Sequence, residues 1–165
     1  MNNSDVSFRC IPEPADLLHI RDILVSTGFF FDYEIDVAGE LLDDCLKKGE
    51  KKSGFYFLFA EQNSSVCAFS CYGPTPCTSG SYDLYWIAVH GDKRGKGIGK
   101  LLFNETCKKI KQAGGRKIFI ETASREQYKP TRNFYITCGC TEEARIADFY
   151  DLGDDKVIFS ILPGK

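Results

Sequence analysis

The apolar positions of this chain change their spacing several times, and each change predicts a different element. Alternating or unbroken apolar runs predict strands, whereas apolar residues three or four positions apart predict helices. Strands are predicted at residues 6–11, 54–60, 65–72, 81–90, 117–122, 141–149 and 156–162. Helices are predicted at residues 15–27, 37–48 and 98–111, and around Pro130 up to Gly139. The predicted order is therefore β-α-α-β-β-β-α-β-α-β-β.

Glycine, proline and polar residues mark the connections between these elements. Gly28 follows the first helix, at the position where a left-handed residue commonly ends a helix. Residues 61–64 and 151–155 are predicted hairpin turns, and residues 73–76 (Gly-Pro-Thr-Pro) are predicted to break the sheet. Residues 29–33 (Phe-Phe-Phe-Asp-Tyr) are predicted to form an aromatic, acidic loop, because three adjacent phenylalanines cannot all face one core.

The stretch from Leu84 to Lys111 carries the strongest chemical signal. A β-branched and aromatic run ends at Val89, a loop with four glycines follows, and helical spacing begins at Ile98. The first turn of a helix has N–H groups without partners in the helix, and its dipole adds partial positive charge. Glycines allow a phosphate to approach this backbone closely. The stretch therefore predicts an anion site that suits a pyrophosphate.

Two common phosphate-binding patterns do not fit this loop. No glycine in it begins the Walker sequence Gly-x-x-x-x-Gly-Lys-Ser/Thr. The dinucleotide pattern Gly-x-Gly-x-x-Gly would need glycine where Lys100 stands. The pattern that is present is Arg94-x-x-Gly97-x-Gly99, directly after a strand. The alternative is a glycine-rich connection that binds nothing.

This pattern resembles the acetyl-CoA pyrophosphate loop of the GNAT superfamily of N-acetyltransferases, Arg/Gln-x-x-Gly-x-Gly/Ala. The element order is also similar to the GNAT fold, a mixed, twisted α/β sheet with helices on both faces. The resemblance implies a single GNAT domain over residues 1–165, with acetyl-CoA as cosubstrate. It places the acetyl-pantetheine arm along the strand before the loop, where a backbone N–H stabilises the oxyanion. The implied cofactor-binding residues are Ile87, Ala88, Val89, Arg94, Gly95, Lys96, Gly97, Ile98, Gly99, Lys100 and Tyr128.

The resemblance also implies two catalytic residues. Acetyl transfer needs a neutral amine and benefits from an acid near the leaving thiolate. In protein N-terminal acetyltransferases of this family, a Glu acts as base and a Tyr as acid, and Glu121 and Tyr135 match their positions. The segment ending at Tyr135 resembles the motif Asn-x-x-Ala-x-x-Phe/Leu-Tyr, with Tyr128 and Thr131 in place of Asn and Ala. The Glu-to-Tyr spacing is two residues longer than in the motif.

Each catalytic assignment has a structural alternative. Tyr135 falls on an apolar stripe and fits a core aromatic residue, and Glu121 fits a strand-end carboxylate in a salt bridge. Asp83, one strand over, is the alternative base. His90 and His19 are expected to be structural.

Composition restricts the class of protein. With 165 residues, 43% hydrophobic and 13% aromatic, the chain suits one compact core. No run approaches the ~18 apolar residues of a membrane span, and residues 1–5 lack the charge and apolar run of a secretion signal. A cytoplasmic protein that binds no membrane is therefore expected. The eight cysteines form no Cys-x-x-Cys pair and several occupy apolar positions, so neither metal nor a disulfide framework is expected.

The net charge of −2 hides two regions of opposite sign. Residues 32–44 contain six acids and no Lys or Arg, whereas residues 93–117 contain nine basic residues and one acid, Glu105. These are either solvated helix faces or a basic side for CoA phosphates and an acidic side for a cationic acceptor. A nucleic-acid role fits poorly, because the basic run is local. The last hairpin resembles that of the N-terminal acetyltransferases, which frames the acceptor, and it is acidic here too.

These observations predict an N-acetyltransferase that moves the acetyl group of acetyl-CoA to a primary amine by direct attack in a ternary complex. The predicted acceptor is a cationic small molecule or peptide amine, and the protein is expected to be a monomer or homodimer. Three alternatives remain: transfer from a different acyl-CoA, a catalytically silent acyl-CoA sensor, and a zinc- or disulfide-stapled interaction module.

Overall fold

The computed structural model describes residues 6–164, so the predicted character of residues 1–5 lies outside the described residues. The strands are β1 (Val6–Arg9), β2 (Tyr56–Gln62), β3 (Ser65–Pro74), β4 (Ser81–Val89), β5 (Lys117–Ala123), β6 (Thr141–Asp151) and β7 (Asp154–Ile161). The helices are α1 (Asp16–Thr27), α2 (Asp32–Lys48), α3 (Glu50–Ser53), α4 (Ile98–Gln112) and α5 (Lys129–Thr137). None of these helices combines the length and the apolar character that a bilayer span requires.

The strands form one mixed sheet in the order β1-β2-β3-β4-β5-β7-β6. β1, β2 and β3 pair antiparallel, β4 and β5 run parallel, and β5, β7 and β6 pair antiparallel. A parallel pair needs a crossover connection, and α4 supplies it between β4 and β5. The predicted α/β fold with a mixed sheet is confirmed.

Two compact units divide the chain, and β4 and α4 contribute residues to both. We call them unit 1 (residues 1–73 and 86–106) and unit 2 (residues 74–85 and 107–165). The core of unit 1 consists of apolar side chains from α1, α2, β2 and β3, including Ile20, Leu24, Leu42, Phe57 and Phe69. The single-domain assignment stays a prediction.

A buried ion pair joins the first strand and helix of unit 1. The Asp16 carboxylate is fully buried at the start of α1, and its two oxygens accept hydrogen bonds of 2.8 and 2.9 Å from the guanidinium of Arg9. Arg9 also donates to Glu61 at 2.7 Å. A buried charge is tolerated only when it is paired in this way, so these contacts fix β1 beside α1.

The core of unit 2 lies on one face of β5 and β7. Ile118 and Ile120 are buried beside Val157 and Phe159, and Tyr135 of α5 packs on Phe159. By contrast, every residue of β6 is exposed.

Several predicted boundaries differ from the structure. α2 begins at Asp32 rather than at Val37, because the Glu34 carboxylate accepts the Phe31 N–H at 2.8 Å and closes the first turn. α3 was not predicted, and β3 continues to Pro74 instead of ending before Gly73. The left-handed Gly28 at the end of α1 is confirmed, with φ of 61°.

The predicted hairpin turn between β2 and β3 is also confirmed. Asn63 and Ser64 have φ of 53° and 61°, the backbone that a two-residue hairpin turn requires. All eight cysteines are free thiols, and the described residues contain no cluster of three metal-ligating side chains.

Candidate active site

The strand segment predicted to bind the acetyl-pantetheine arm forms the end of β4 in unit 1. Ala88 is 7% exposed and belongs to the core, and Trp86 packs against the same core. Since successive side chains of a strand point to opposite faces, Ile87 and Val89 project from the other face, where they are half-buried. The side chains of Ile87 and Val89 therefore lie on the same face of β4, and this face is partly exposed to solvent.

The residues between β4 and α4 form an exposed turn that ends at a helix N-terminus. We call residues 94–100 the glycine turn. Gly95 and Gly97 have φ of 72° and 81°, which side chains other than glycine rarely adopt. Ile98 is 2% exposed, so the first turn of α4 is anchored by a buried side chain. The N–H groups of that first turn have no partner within the helix and face the exposed turn.

Contacts with α1 and β2 hold the start of this connection in place. The Gly91 N–H donates to the Ser26 hydroxyl at 2.9 Å, and a Cβ on Gly91 would lie 2.5 Å from the Ser26 carbonyl oxygen. The imidazole of His90 lies 3.6 Å from the Asp22 carboxylate, and Lys93 donates to Gln62 at 3.1 Å. His90 therefore has the structural surroundings that were expected of it.

The donors around the glycine turn suit the diphosphate of a CoA ester. Arg94, Lys96 and Lys100 are exposed cations on the turn, and Lys96 donates to the Asp92 carbonyl at 2.7 Å. A Cβ on Gly95 would meet nothing within 4 Å, so the backbone there is open to an incoming group. Basic side chains, open glycine backbone and a helix N-terminus together form a site for a phosphate group.

In unit 2, Glu121 lies at an ion pair. The Glu121 side chain is 53% exposed, and its Oε2 lies 2.7 Å from Nζ of Lys156, which is 15% exposed. The same ammonium lies 3.9 Å from the ring centroid of Phe149. An ammonium between a carboxylate and an aromatic face is stabilised by both. Glu121 therefore forms the salt bridge that was the structural alternative for it. This ion pair does not decide whether Glu121 is also the catalytic base.

Tyr135 is a buried phenol. It is 5% exposed, and its ring lies 5.4 Å from Phe134 and 5.7 Å from Phe159. Burial raises the pKa of Tyr135 well above its usual value, with smaller contributions from Cys140 and Cys138. The hydroxyl therefore stays protonated at neutral pH, and it is a weaker acid than a solvent-exposed phenol.

Register assigns Glu121 and Tyr135 to opposite faces of β5 and β7. Glu121 is paired with Ile158, whereas Tyr135 packs on the adjacent residue Phe159, whose partner is Ile120. Neighbouring strand residues point to opposite faces. The structure therefore does not bring the two candidate catalytic side chains together on one face.

The other candidate residues of unit 2 have clear neighbours. Asp83 is paired with Phe119, two residues before Glu121, so both candidate bases share one face, and Asp83 accepts a 2.8 Å hydrogen bond from Thr75. Tyr128 is half-buried in a single turn before α5, with the Arg125 guanidinium 5.5 Å from its ring centroid.

Many of the acids predicted to recruit a cationic acceptor are engaged within the chain. On α2, Asp36 pairs with Arg21 and Asp44 pairs with Lys48. In the last hairpin, Asp148 accepts the Gly153 N–H at 2.7 Å, and Asp155 accepts the Asp148 N–H at 3.1 Å. The α2 carboxylates are therefore paired with cations of the chain, whereas the hairpin carboxylates stabilise its turn through backbone N–H groups.

Sequence reasoning missed three residues with contacts to the candidates. Lys156 and Phe149 contact each other beside Glu121, and Phe29 lies 5.8 Å from the Arg94 guanidinium. Lys156 could have been assigned to the face of Glu121 from the alternation along β7, but this needs the register between β5 and β7. The sequence does not give that register. The contact of Phe29 could not be predicted, because the sequence does not distinguish it from the adjacent Phe30 and Phe31.

A mixed α/β sheet with an exposed, basic glycine turn between a strand and a helix is suited to a ligand that carries phosphate groups. Residues 17–140 match the acetyltransferase (GNAT) family. The chain belongs to this family, and its class of activity is acetyl-CoA-dependent N-acetyltransferase. No protein of curated function matches the chain in sequence.

Solved structures give the same fold. A crystal structure of a GNAT-family acetyltransferase from Desulfovibrio desulfuricans is 42% identical, covers 96% of this chain and 99% of its own, and has a TM-score of 0.93. The ribosomal-protein-S18-alanine N-acetyltransferase from Escherichia coli has 16% identity over 97% and 95% of the two chains, with a TM-score of 0.73. The spermidine N-acetyltransferase from Vibrio cholerae, in complex with CoA and spermine, has 20% identity over 99% and 98%, with a TM-score of 0.76.

Proposed function

We propose that this protein transfers the acetyl group of acetyl-CoA to a primary amine by direct attack, with both substrates bound at once. The observation that carries the proposal is the glycine turn, where the open backbone of Gly95 and the exposed Gly97 lead into the first turn of α4 beside exposed basic side chains. A diphosphate bound there is stabilised by helix N–H groups and by the cations.

In unit 1 we assign cofactor binding to residues 87–89 and 94–100. Arg94, Lys96 and Lys100 neutralise the diphosphate, while the backbone at the end of β4 hydrogen-bonds the acetyl-pantetheine arm. When bound, acetyl-CoA supplies the thioester carbonyl that the amine attacks. An N–H near Ile87 donates to the oxygen on which negative charge develops. Tyr128 in unit 2 is proposed as a further cofactor contact.

In unit 2 we assign the proton transfers to Glu121 and Tyr135. The Glu121 carboxylate accepts the proton that the amine loses, a C–N bond forms as the C–S bond breaks, and the Tyr135 phenol donates its proton to the sulfur. Since Glu121 and Tyr135 lie on opposite faces of β5 and β7, this assignment requires a thioester that each side chain reaches from its own face. The Tyr135 phenol holds the proton that this step needs, although burial raises its pKa and makes it a weaker acid. Asp83, on the same face as Glu121, is the alternative base.

We propose a cationic amine as the acceptor. The spermidine and ribosomal-protein acetyltransferases of similar fold support an amine nucleophile of either small-molecule or peptide origin. Within this chain, Glu121 and Phe149 already hold the ammonium of Lys156. A carboxylate beside an aromatic face is suited to an ammonium, so a cationic acceptor that displaces Lys156 finds favourable contacts there.

The test is an acceptor panel that contains spermidine, lysine and a peptide with a free N-terminal alanine, measured by release of free CoA. Thermal stabilisation by acetyl-CoA is measured first, because ligand binding to the folded state raises the melting temperature. The expected result is stabilisation by acetyl-CoA, and a KM for the acceptor that rises with ionic strength. Absence of stabilisation by every CoA ester would contradict the proposal.

A catalytically silent acyl-CoA sensor is the second candidate. The ion pair at Glu121 and the burial of Tyr135 favour it, because both groups are engaged before any substrate arrives. A sensor is expected to bind acetyl-CoA and release no free CoA with any acceptor of the panel.

A further inference from the structure

The α1–α2 connection contacts the glycine turn through an arginine and an aromatic ring. The guanidinium carbon of Arg94 lies 5.8 Å from the ring centroid of Phe29, within the range of a cation–π contact. Within residues 6–164, Arg94 makes no ion pair with a carboxylate. Phe29 is therefore a side chain that the exposed Arg94 guanidinium contacts before any ligand is bound.

Phe29 is itself held in place by short local contacts. Gly28 ends α1 in the left-handed conformation, and the Phe29 N–H donates to the Thr27 hydroxyl at 3.1 Å. One turn earlier, the Ser26 hydroxyl accepts the Gly91 N–H at 2.9 Å, which ties the end of α1 to the start of the connection that holds Arg94. Phe29 and the start of the connection that carries Arg94 are thus both hydrogen-bonded to the last turn of α1.

The contact with Phe29 leaves the Arg94 guanidinium able to bind an anion. A contact between an aromatic ring and a guanidinium uses none of its N–H groups as hydrogen-bond donors, so they stay available. A carboxylate partner would use those donors. The aromatic contact also restricts a long side chain that otherwise loses rotamer freedom on binding.

We propose that Phe29 is a positioning residue for cofactor binding, which holds the Arg94 guanidinium ready to donate to the diphosphate of a CoA ester. This inference rests on the function proposed above, and it adds a residue outside the glycine turn to the binding of the cofactor. The contact continues inward, because Phe29 meets the ring of Phe30 at 6.0 Å and Phe30 meets Trp86 at 5.3 Å. Trp86 is the one tryptophan of the chain and therefore reports on this connection by fluorescence.

A double-mutant cycle tests the proposal, with acetyl-CoA affinity measured by titration calorimetry. Phe29→Leu keeps an apolar side chain and removes the ring, Arg94→Gln removes the cation, and the third variant carries both. Because a cation–π contact at an exposed site is weak, Phe29→Leu is expected to raise the Kd about threefold. In the Arg94→Gln background the same change is expected to have no further effect, because the contact is already lost.

Two further measurements separate positioning from a merely structural role. Phe31→Leu is the matched control, because the Phe31 ring stacks on Tyr33 and has no described contact with Arg94. This variant is expected to bind acetyl-CoA with the Kd of the unmodified protein. The change in Trp86 emission at saturating acetyl-CoA is expected to be smaller in Phe29→Leu than in Phe31→Leu. An unchanged Kd in Phe29→Leu, or equal Kd effects in both Arg94 backgrounds, would overturn this inference and leave the proposed function intact. Absence of acetyl-CoA binding by the unmodified protein would overturn both.

Discussion

The glycine turn of unit 1 and the β5–α5–β7 region of unit 2 are proposed to perform different parts of one reaction, and they are built differently. The turn consists of consecutive residues whose function depends on backbone N–H groups and on glycines at φ of 72° and 81°. The region in unit 2 takes Glu121, Tyr135 and Lys156 from three separate elements. Backbone sites of this kind follow from local sequence, whereas side-chain sites depend on the register that brings distant segments together.

The largest effect is expected from the change that removes the acid in unit 2. Tyr135→Phe keeps the ring that packs on Phe159 and removes only the hydroxyl. Because general acid catalysis contributes factors of this order, kcat is expected to fall about 100-fold or more, with the Kd for acetyl-CoA unchanged. Steady-state release of CoA and calorimetry measure the two quantities. Tyr33→Phe, which removes the hydroxyl of a tyrosine that is 66% exposed, is the control. A kcat that survives in Tyr135→Phe would exclude Tyr135 as the acid.

A second change tests whether the glycine turn depends on close packing beneath it. In Gly91→Ala the new Cβ would lie 2.5 Å from the Ser26 carbonyl oxygen, so the connection must shift away from α1. The Kd for acetyl-CoA is expected to rise about tenfold, because donors displaced by even 1 Å lose hydrogen-bond geometry. The matched variant is Gly54→Ala, outside the glycine turn, where φ is 78° but the space is open. It is expected to cost only about 1 kcal/mol of left-handed backbone strain, which thermal unfolding measures. Equal shifts of Kd in the two variants would argue against anchoring by Ser26.

Alkaline unfolding tests the burial of the phenol. The pKa of Tyr135 is raised in the folded state, so above about pH 10 the unfolded chain has lost this proton while the folded protein still holds it. Fewer protons bound in the unfolded state mean that stability falls as pH rises. The expected loss is about 1.4 kcal/mol per pH unit from this group. Urea unfolding between pH 9 and 11 is expected to show a steeper loss in the unmodified protein than in Tyr135→Phe. Parallel curves would show that Tyr135 ionises normally.

The smallest effect is expected from the ion pair beside the candidate base. Lys156→Met keeps an unbranched apolar chain and removes the ammonium between Glu121 and Phe149. Because the Glu121 side of this pair is exposed, its electrostatic contribution is modest, and the KM of a cationic acceptor is expected to fall two- to fivefold. Initial rates with spermidine measure the change, and Lys129→Met, at an exposed pair with Glu126, is the control. A KM that rises instead would argue that Lys156 assists the acceptor.

The predicted element order was sufficient to describe the fold because most boundaries carry a local signal. Gly28 ends α1, and Asn63 and Ser64 form the turn between β2 and β3. The predicted start of α2 was wrong because the first turn is closed by a hydrogen bond from the Phe31 backbone N–H to the Glu34 carboxylate, and the run of aromatic residues before it indicated a loop. α3 has only four residues and no apolar period to detect.

Within the candidate site, the sequence by itself determined the glycine turn and its place between β4 and α4, because backbone conformation and helix start are properties of neighbouring residues. Only the tertiary structure decided that Glu121 pairs with Lys156, that Tyr135 is buried against Phe159 on the opposite face, and that Phe29 lies under Arg94. The physical reason is that strand register and helix packing are fixed by burial of the whole core, and a shift of one residue would exchange the two faces.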